Sequence, residues 1–259
     1  MNEEQIENLA AAKKRLDELL AVKRFLERLI EKYTAIIIEP RKHRALEFVL
    51  RNALDNLNSK WSVQIFHGTE NELWLKEILE KSFQKDLSRI TLKNLGVANL
   101  ATSLEYSKIL ASREFTEAIP TETFLVFQTD SMINPAHKGL IEKFIDYDYV
   151  GAPWKSMLVG VGNGGFSLRK RSTMLKIINR LGPIKNTNED LYFSTGCLLL
   201  KAKVPSSEQA KEFSIETIYH THSFGLHRAW AYHKDKVEEL CRQCEGLETL
   251  IQLQSVIDD

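Results

Sequence analysis

The chain has 259 residues and carries 35 lysines and arginines against 35 aspartates and glutamates, so its formal net charge is zero. This balance excludes the strongly basic surface that nucleic-acid binding requires, and three cysteines are too few for a disulfide framework. No apolar stretch approaches the roughly 20 residues that span a bilayer, and residues 1–5 lack an apolar signal core, so we expect a cytoplasmic protein without a transmembrane segment.

Apolar residues at heptad spacing begin the chain. Residues 1–33 are predicted to form one helix, in which Lys23 interrupts the apolar set. Such a helix either packs on its own domain or forms a coiled coil that makes the chain a homo-oligomer. Residues 231–259 show a similar stripe and predict a C-terminal helix, so the two terminal helices could also pack together. The N-terminal set is Leu9, Ala12, Leu16, Leu19, Leu26, Ile30 and Tyr33.

Residues 34–230 alternate between strand and helix patterns. β-branched and apolar runs predict strands at 34–39 and 61–66, and amphipathic spacing predicts helices at 44–57 and 70–82. This alternation is typical of a parallel sheet with right-handed crossovers. Ligands bind beyond the carboxyl ends of the strands in such sheets. The residues that follow these strands, and are therefore expected at the functional edge, are Glu39, Arg41, His67 and Gly68.

Four further elements follow in chain order. Residues 106–119 are predicted to be helical and 124–128 to be an apolar strand, after which Asp130 comes at once. A shorter strand is expected at 147–154, and a helix begins near residue 188. A carboxylate at the end of a strand can hold Mg²⁺ or Mn²⁺, or it can cap the next turn. Position alone does not choose between these roles for Asp130.

A glycine-dense loop, residues 160–165, precedes the segment 166–169. Glycines let the backbone approach a ligand closely, and Asn163 is placed to hydrogen-bond sugar hydroxyls. The spacing matches neither a dinucleotide-binding fingerprint nor a phosphate-binding P-loop. A flexible turn without ligand contact is the alternative interpretation.

Two adjacent carboxylates, Glu189 and Asp190, lie at a predicted helix start. Acidic residues there are favoured by the helix dipole and serve as caps. The functional alternative is a general base that deprotonates an acceptor hydroxyl.

Three histidines, His220, His222 and His227, fall within eight positions and raise the prospect that one of them binds a metal.

Six segments in the order of the chain resemble a family of largely uncharacterised glycosyltransferases. The resemblance covers roughly residues 34–230 and excludes the terminal helices, so we divide the chain into 1–33, 34–230 and 231–259. It implies an α/β fold of the GT-A type, a Rossmann-like mixed sheet flanked by helices with one nucleotide-sugar site. The segments are Ile38–His43, Phe127–Ser131, Tyr149–Trp154, Gly162–Arg169, Glu189–Ser194 and Phe224–Trp230.

The resemblance also implies roles for particular residues. In GT-A enzymes an Asp-x-Asp motif holds a metal together with the diphosphate, but here Thr129 precedes Asp130 and only one carboxylate is present. Related folds add a histidine near the C-terminus, which His227 matches, and place a catalytic base where Asp190 lies, beside Glu189. The residues that the resemblance implies for binding the donor are Glu39, Arg41, Gly68, Asp130, Asn163, Gly164 and Gly165.

The function predicted from these features is hexosyltransferase-like. A sugar passes from a nucleotide-sugar donor to a hydroxyl of a glycan, protein or small molecule, with inversion and with Mn²⁺ or Mg²⁺ held by Asp130 and His227. Three alternatives stay open at this point: a sugar- or nucleotide-binding module without catalysis, an assembly protein built on its terminal coiled coils, and a metal-dependent phosphohydrolase.

Overall fold

A central six-stranded sheet organises the structure, a computed structural model that describes residues 3–30, 32–155 and 161–255. Its strand order is β3-β2-β1-β4-β7-β6. The first four strands in this order run parallel, whereas β7 is antiparallel to β4 and to β6. The strands are β1 (Tyr33–Ile38), β2 (Trp61–His67), β3 (Ile90–Asn94), β4 (Thr123–Val126), β6 (Tyr149–Val150) and β7 (Ser167–Lys170).

The strands at the centre of the sheet are buried on both faces, and their side chains alternate between two cores. In β1, Ala35 and Ile37 join one apolar cluster, while Ile36 and Ile38 join the other. This follows from the strand period of two residues. A sheet covered on both faces needs continuous apolar strands, which explains the β-branched run of β1. The predicted α/β fold with a mixed sheet flanked by helices is therefore confirmed.

Eleven helices are labelled in the described part of the chain. Helix α2 shows why they form, because its buried Leu46, Val49, Leu50, Ala53 and Leu54 make one apolar stripe at helical spacing. The helices are α1 (Glu3–Ile30), α2 (Leu46–Asn56), α3 (Glu72–Ser82), α4 (Ser103–Leu110), α5 (Arg113–Glu117), α6 (Arg171–Leu181), α7 (Glu189–Leu199), α8 (Ser207–Lys211), α9 (Ala229–Tyr232), α10 (Val237–Gln243) and α11 (Leu247–Ser255). Short 3₁₀ helices lie at Leu87–Arg89, Pro135–Lys143 and Lys234–Lys236.

A second, three-stranded sheet lies beyond the end of β4. It consists of β5 (Ser131–Ile133), β8 (Ser214–Ile215) and β9 (Gly225–His227), in the order β5-β9-β8. Strand β5 pairs antiparallel with β9, so that Ser131 lies opposite His227. The small sheet thus joins two segments that are far apart in the chain, directly above the carboxyl edge of the main sheet.

The terminal segments differ from the sequence-based expectation. Residues 231–255 do not form one helix: α9, a 3₁₀ turn, α10 and α11 follow each other, with Gly246 at φ 88° between α10 and α11. Leu240, Cys244, Leu247 and Leu250 pack into the core of the main sheet. The C-terminal stripe is therefore used in the core of the main sheet. Packing of the two terminal helices against each other stays a prediction.

The apolar side chains of helix α1 that the structure describes are exposed to solvent. Leu9, Leu16 and Leu19 are 56–62% exposed, while the side chains of Leu26 and Ile30 lie outside the described residues. Tyr33, the last member of the heptad set, begins β1. The coiled coil stays a prediction. None of the described helices combines the length and the hydropathy that a membrane span would need.

Three intermediate elements also differ from the prediction. The helix expected at 106–119 is divided into α4 and α5, because the Ser112 side chain caps a new helix by accepting from the Phe115 N–H. The strand expected at 147–154 is reduced to the two residues of β6. Strand β3, an edge strand whose residues are half-buried or exposed, was not predicted.

Candidate functional site

A tight turn after β4 fixes the position of Asp130. The hydroxyl of Ser131 accepts a hydrogen bond from the Gln128 N–H and donates to the Gln128 carbonyl, both at 2.9 Å. The Ser131 N–H donates to the same carbonyl at 3.1 Å. These bonds satisfy the backbone where the strand ends. They hold Asp130 at the carboxyl edge of the sheet, where ligands bind in folds of this type.

The pairing of β5 with β9 brings His227 to this turn. His227 Nε2 lies 3.3 Å from Asp130 Oδ1 and 3.2 Å from Gln128 Oε1. Two residues that are 97 positions apart therefore converge on one point, and the amide oxygen of Gln128 also contacts the imidazole. The sequence-predicted pair of Asp130 and His227 does meet in space.

The opposite side of the imidazole is held by a buried carboxylate. His227 Nδ1 lies 3.2 Å from Glu216 Oε1, and the Asn163 amide donates to the same oxygen at 2.6 Å. Burial alone would lower the pKa of His227, but hydrogen bonds and charges from Asp130 and Glu216 outweigh it and raise the pKa to about 9. A carboxylate on Nδ1 orients the ring so that Nε2 faces Asp130.

Asp130 itself is charged and incompletely bonded. Burial would raise its pKa, but the imidazole of His227 and the guanidinium of Arg228 hold the pKa below its ordinary value. Arg228, at φ 48° in the left-handed region, donates its N–H to the Asp130 carbonyl at 3.0 Å. Among the described residues, nothing makes a well-aligned hydrogen bond to the buried Oδ1 of Asp130. A buried acceptor of this kind costs stability unless a ligand completes it.

The glycine loop packs directly against this cluster. A Cβ on Gly165 would collide with His227 Nε2 and lie 2.7 Å from Gln128 Oε1, and a Cβ on Gly164 would collide with the Glu189 carboxylate. Only glycine fits at both positions. Gly160, the first residue of the predicted loop, lies outside the described residues.

Beneath the loop lies a buried ion pair. Arg169 Nη2 is 3.1 Å from Glu189 Oε1 and donates to the Gly164 carbonyl at 3.2 Å, with the two side chains 1% and 8% exposed. The hydroxyl of Ser107 accepts from the Glu189 N–H at 3.1 Å. Glu189 is therefore committed to positioning the glycine loop and the start of α7. Its neighbour Asp190 has no ion-pair partner among the described residues.

Removing the cation of this pair should destabilise the fold. We expect Arg169→Met to lower the free energy of unfolding by about 3–5 kcal/mol, because it leaves the Glu189 carboxylate buried without its counter-ion. Denaturant unfolding followed by circular dichroism measures this loss. Lys76→Met is the matched control, since its ion pair with Glu72 is exposed, and it should shift the midpoint far less. Equal shifts for the two variants would contradict the structural role of Arg169.

Asp190 faces a large cleft at the start of α7. Burial raises its pKa to about 6, and the charge of Glu189 contributes in the same direction. We name this the Asp190 cleft; its volume is about 730 Å³. Its lining consists of Trp154, Lys155, Asn186, Thr187, Asn188, Asp190, Leu191, Thr217 and Tyr232.

A second cleft opens on the other side of the cluster and has a volume of about 260 Å³. We name it the Arg41 cleft. Glu39, which is 3% exposed, accepts hydrogen bonds from both Nε and Nη2 of Arg41, each at 2.8 Å. The lining of the Arg41 cleft includes Glu39, Arg41, Asn99, Ser103, Tyr106, Gln128, Thr129 and Asp130.

Two of the predicted binding residues lie behind these clefts. Gly68 contacts Pro40 and the Val97 carbonyl, and it is not among the residues that line the Arg41 cleft. Asn163 is buried and uses its amide to hold Glu216. Both therefore shape the site from the second layer in this structure, without presenting a free group to a ligand.

Sequence reasoning missed several residues of the cluster. Gln128 and Arg169 lie inside the segments that carry the family resemblance, but no role was assigned to them. Glu216 was assigned no role either, and the signal that could have marked it is its place directly after strand β8. Of the three histidines only His227 belongs to this cluster. His220 Nδ1 lies 3.1 Å from the His222 carbonyl oxygen, and the ring of His222 packs on His137 at 4.2 Å between centroids.

Comparison with known proteins identifies the family of the chain. A family model described as "Protein of unknown function (DUF5672)" matches residues 89–227, more than half of the chain. The chain belongs to the DUF5672 family. The match runs from the end of the 3₁₀ turn before β3 to His227 and so includes Asp130, the glycine loop, Glu189 and Asp190. The sequence matches no curated protein.

Solved structures of similar fold are glycosyltransferases. The galactosyltransferase LgtC, solved with donor and acceptor sugar analogues, has a TM-score of 0.55 at 10% identity, and the match covers 87% of this chain and 98% of LgtC. The mannosyltransferase PcManGT from Pyrobaculum calidifontis, solved with GDP-Man and Mn²⁺, has a TM-score of 0.48 at 12% identity over 72% of this chain and 61% of its own. GlyE from Streptococcus pneumoniae has a TM-score of 0.49 at 14% identity over 88% and 61%.

The fold of this DUF5672 chain is therefore that of the GT-A glycosyltransferases, as the similarity to LgtC shows. The chain spans less than two thirds of the length of PcManGT and of GlyE. The expected resemblance to a family of GT-A fold is confirmed. The family is also uncharacterised, as expected, since its description assigns no function.

Proposed function

We propose that this protein is a glycosyltransferase that moves a sugar from a nucleotide-sugar donor to an acceptor hydroxyl. The observation that carries the proposal is the meeting of Asp130 Oδ1 and His227 Nε2, 3.3 Å apart, at the carboxyl edge of a GT-A sheet. Asp130 lines the Arg41 cleft, and Asp190, with its raised pKa, lines the other cleft. A donor and an acceptor would thus approach the same cluster from its two sides.

The Arg41 cleft is proposed to take the nucleotide. The guanidinium of Arg41 is held in place by Glu39, and the side chain remains 55% exposed. The buried hydroxyl of Tyr106 at the cleft has no hydrogen-bond partner among the described residues. A fixed cation and an unused donor suit a phosphate or ribose oxygen. The diphosphate of such a ligand would extend towards Asp130.

The residues at Asp130 fit a divalent metal that keeps open positions. Within the described residues, no three His, Cys, Asp or Glu side chains form a metal-binding group. The chain offers the Asp130 carboxylate, an amide oxygen on Gln128, and the imidazole of His227, which would bind once its Nε2 has lost its proton. Mg²⁺ and Mn²⁺ suit such sites because phosphate and water oxygens complete their shells. A bound metal would supply neutralisation of the charge that develops on the leaving diphosphate.

Asp190 is proposed as the general base. It accepts the proton of the acceptor hydroxyl as the oxygen forms its bond to the anomeric carbon, and the bond from that carbon to the diphosphate oxygen breaks. A single displacement of this kind inverts the anomeric configuration. Glu189 is proposed as a positioning residue, because its carboxylate is engaged by Arg169.

Ligand-dependent stability tests the donor site. We expect the unfolding midpoint of the full chain to rise with UDP, GDP or one of their sugars in the presence of Mn²⁺, and to rise less in EDTA. A ligand at one hundred times its Kd stabilises by about 2.7 kcal/mol when it binds only the folded state. Thermal unfolding measures this. If no nucleoside diphosphate and no nucleotide sugar raises the midpoint in either condition, the proposal fails.

A further inference from the structure

We propose that the acceptor is a carbohydrate, and that the Asp190 cleft is its binding site, with a pyranose ring seated against Tyr232 and Trp154. This inference rests on the proposed function and deepens it by naming the acceptor class. The side chains that line the Asp190 cleft carry it, and none of them lines the Arg41 cleft, the proposed donor side.

Two aromatic side chains supply an apolar surface in this cleft. Tyr232, in α9, is 53% exposed, although large aromatic side chains are usually buried. Trp154 packs its ring directly on Gly162, so that any side chain at position 162 would overlap the indole. One ring is thus anchored on the glycine loop, and the other stands open to solvent on the same cleft. The C–H face of a pyranose is the apolar surface that such rings accept.

Apart from Lys155 and Asp190, the polar side chains of the cleft are neutral donors and acceptors of hydrogen bonds. Asn188 caps α7 by position, but its side chain makes no capping bond, although Asn at this position usually bonds the first turn. Asn186 and Asn188 are exposed, and Thr187 adds a hydroxyl. Amides that can both donate and accept match the hydroxyls around a sugar ring.

The charges of the lining argue against other acceptor classes. Lys155 and Asp190 are the only charged side chains that line the cleft in the described residues, and they balance each other. A strongly basic or acidic peptide, or a phosphorylated lipid head group, would need a surface of the opposite sign. The volume of about 730 Å³ lies in the range of roughly 300–1,000 Å³ that is usual for small-ligand pockets. One or two sugar rings fit these limits.

The position of the cleft connects it to the reacting centre. Thr217 lines the cleft and directly follows Glu216, the carboxylate that holds His227. The segment Gly162–Gly165 runs between the two sides, with Trp154 against Gly162 and His227 against Gly165. A ring on Tyr232 and Trp154 would therefore present a hydroxyl towards Asp190, the proposed base.

Saturation-transfer NMR on the full chain tests this inference without the donor. The probes are the methyl glycosides of glucose, galactose, mannose and N-acetylglucosamine, with a serine/threonine hexapeptide and hexyl glycerol as competing classes. We expect at least one glycoside to receive saturation on its ring protons. Tyr232→Ala should weaken that binding about tenfold, and Tyr232→Phe should keep it. Leu73→Ala is the control, because Leu73 is 76% exposed and lines neither cleft.

The outcomes separate this inference from the proposed function. Binding of a nucleoside diphosphate with no saturation of any glycoside would overturn the carbohydrate acceptor and leave the donor site standing. Saturation of the peptide or the hexyl glycerol in place of the glycosides would overturn it as well. Tyr232-dependent glycoside binding without any nucleotide binding would support the carbohydrate site and reject the glycosyltransferase.

Discussion

Replacing Asp190 by asparagine should lower kcat for sugar transfer by about 10²–10⁴-fold, the usual contribution of a positioned general base. Asparagine keeps the size and an oxygen that can accept from the Leu191 N–H, as Asp190 does at 2.7 Å, but it cannot take a proton at neutral pH. Initial rates with a saturating donor and acceptor measure the loss. The midpoint shift with the nucleotide should stay as in the unmodified protein, since Asp190 lines the other cleft.

The pH dependence gives the same prediction a second readout. Because burial and Glu189 raise the pKa of Asp190 to about 6, the base is protonated below that pH and inactive. We expect kcat/KM to fall about tenfold per unit as the pH drops below 6. Asp55→Asn, an exposed carboxylate on α2, should reproduce the unmodified profile. An Asp190→Asn variant that kept more than a tenth of the rate would remove Asp190 from the mechanism.

The second large effect is expected at Asp130. Asp130→Asn should lower kcat/KM by about 10²-fold or more, because charge stabilisation by a metal is worth several kcal/mol and each 1.36 kcal/mol changes a rate tenfold. The reason is the loss of the negative charge of Asp130, the carboxylate that is proposed to hold the metal beside His227. The rate as a function of Mn²⁺ concentration measures the effect, and the variant should respond weakly.

Asp55→Asn again serves as the control for removal of one carboxylate. Equal Mn²⁺-dependent stabilisation by the nucleotide in Asp130→Asn and in the unmodified protein would show that the metal lies elsewhere. Binding of the nucleotide without either transfer or hydrolysis, in the unmodified protein, would make the chain a binding module, the alternative that the single carboxylate in this motif first suggested.

How well the sequence predicts this fold varies with the type of element. Strands β1 and β2 and helices α2 and α3 were predicted to within a few residues. Each strand has an apolar run, and each helix an amphipathic spacing, that is long enough to be recognised in the sequence. Strands β5, β8 and β9 are two or three residues long. Such short segments have no period of their own, and tertiary pairing forms them.

The same difference separates the residues of the candidate site. Asp130 and Asp190 were predicted as site residues from local context, a strand end and a helix start, together with the family resemblance. The roles of Glu216 and Arg169 could not be found in this way. Each depends on a partner that approaches from a distant segment: Glu216 meets His227 across the small sheet, and Arg169 meets Glu189 beneath the glycine loop.

Sequence alone determined the α/β class of this protein, the order of its central elements and the carboxylates at their ends. Short-range periodicity and strand ends depend on residues that are close together in the sequence, so they can be recognised without the tertiary structure. Only the tertiary structure decided that Glu216 holds His227, that Glu189 is an ion-pair partner while Asp190 faces a cleft, and that the C-terminal helices join the main core. These depend on long-range pairing and burial, which bring together segments that no local pattern connects.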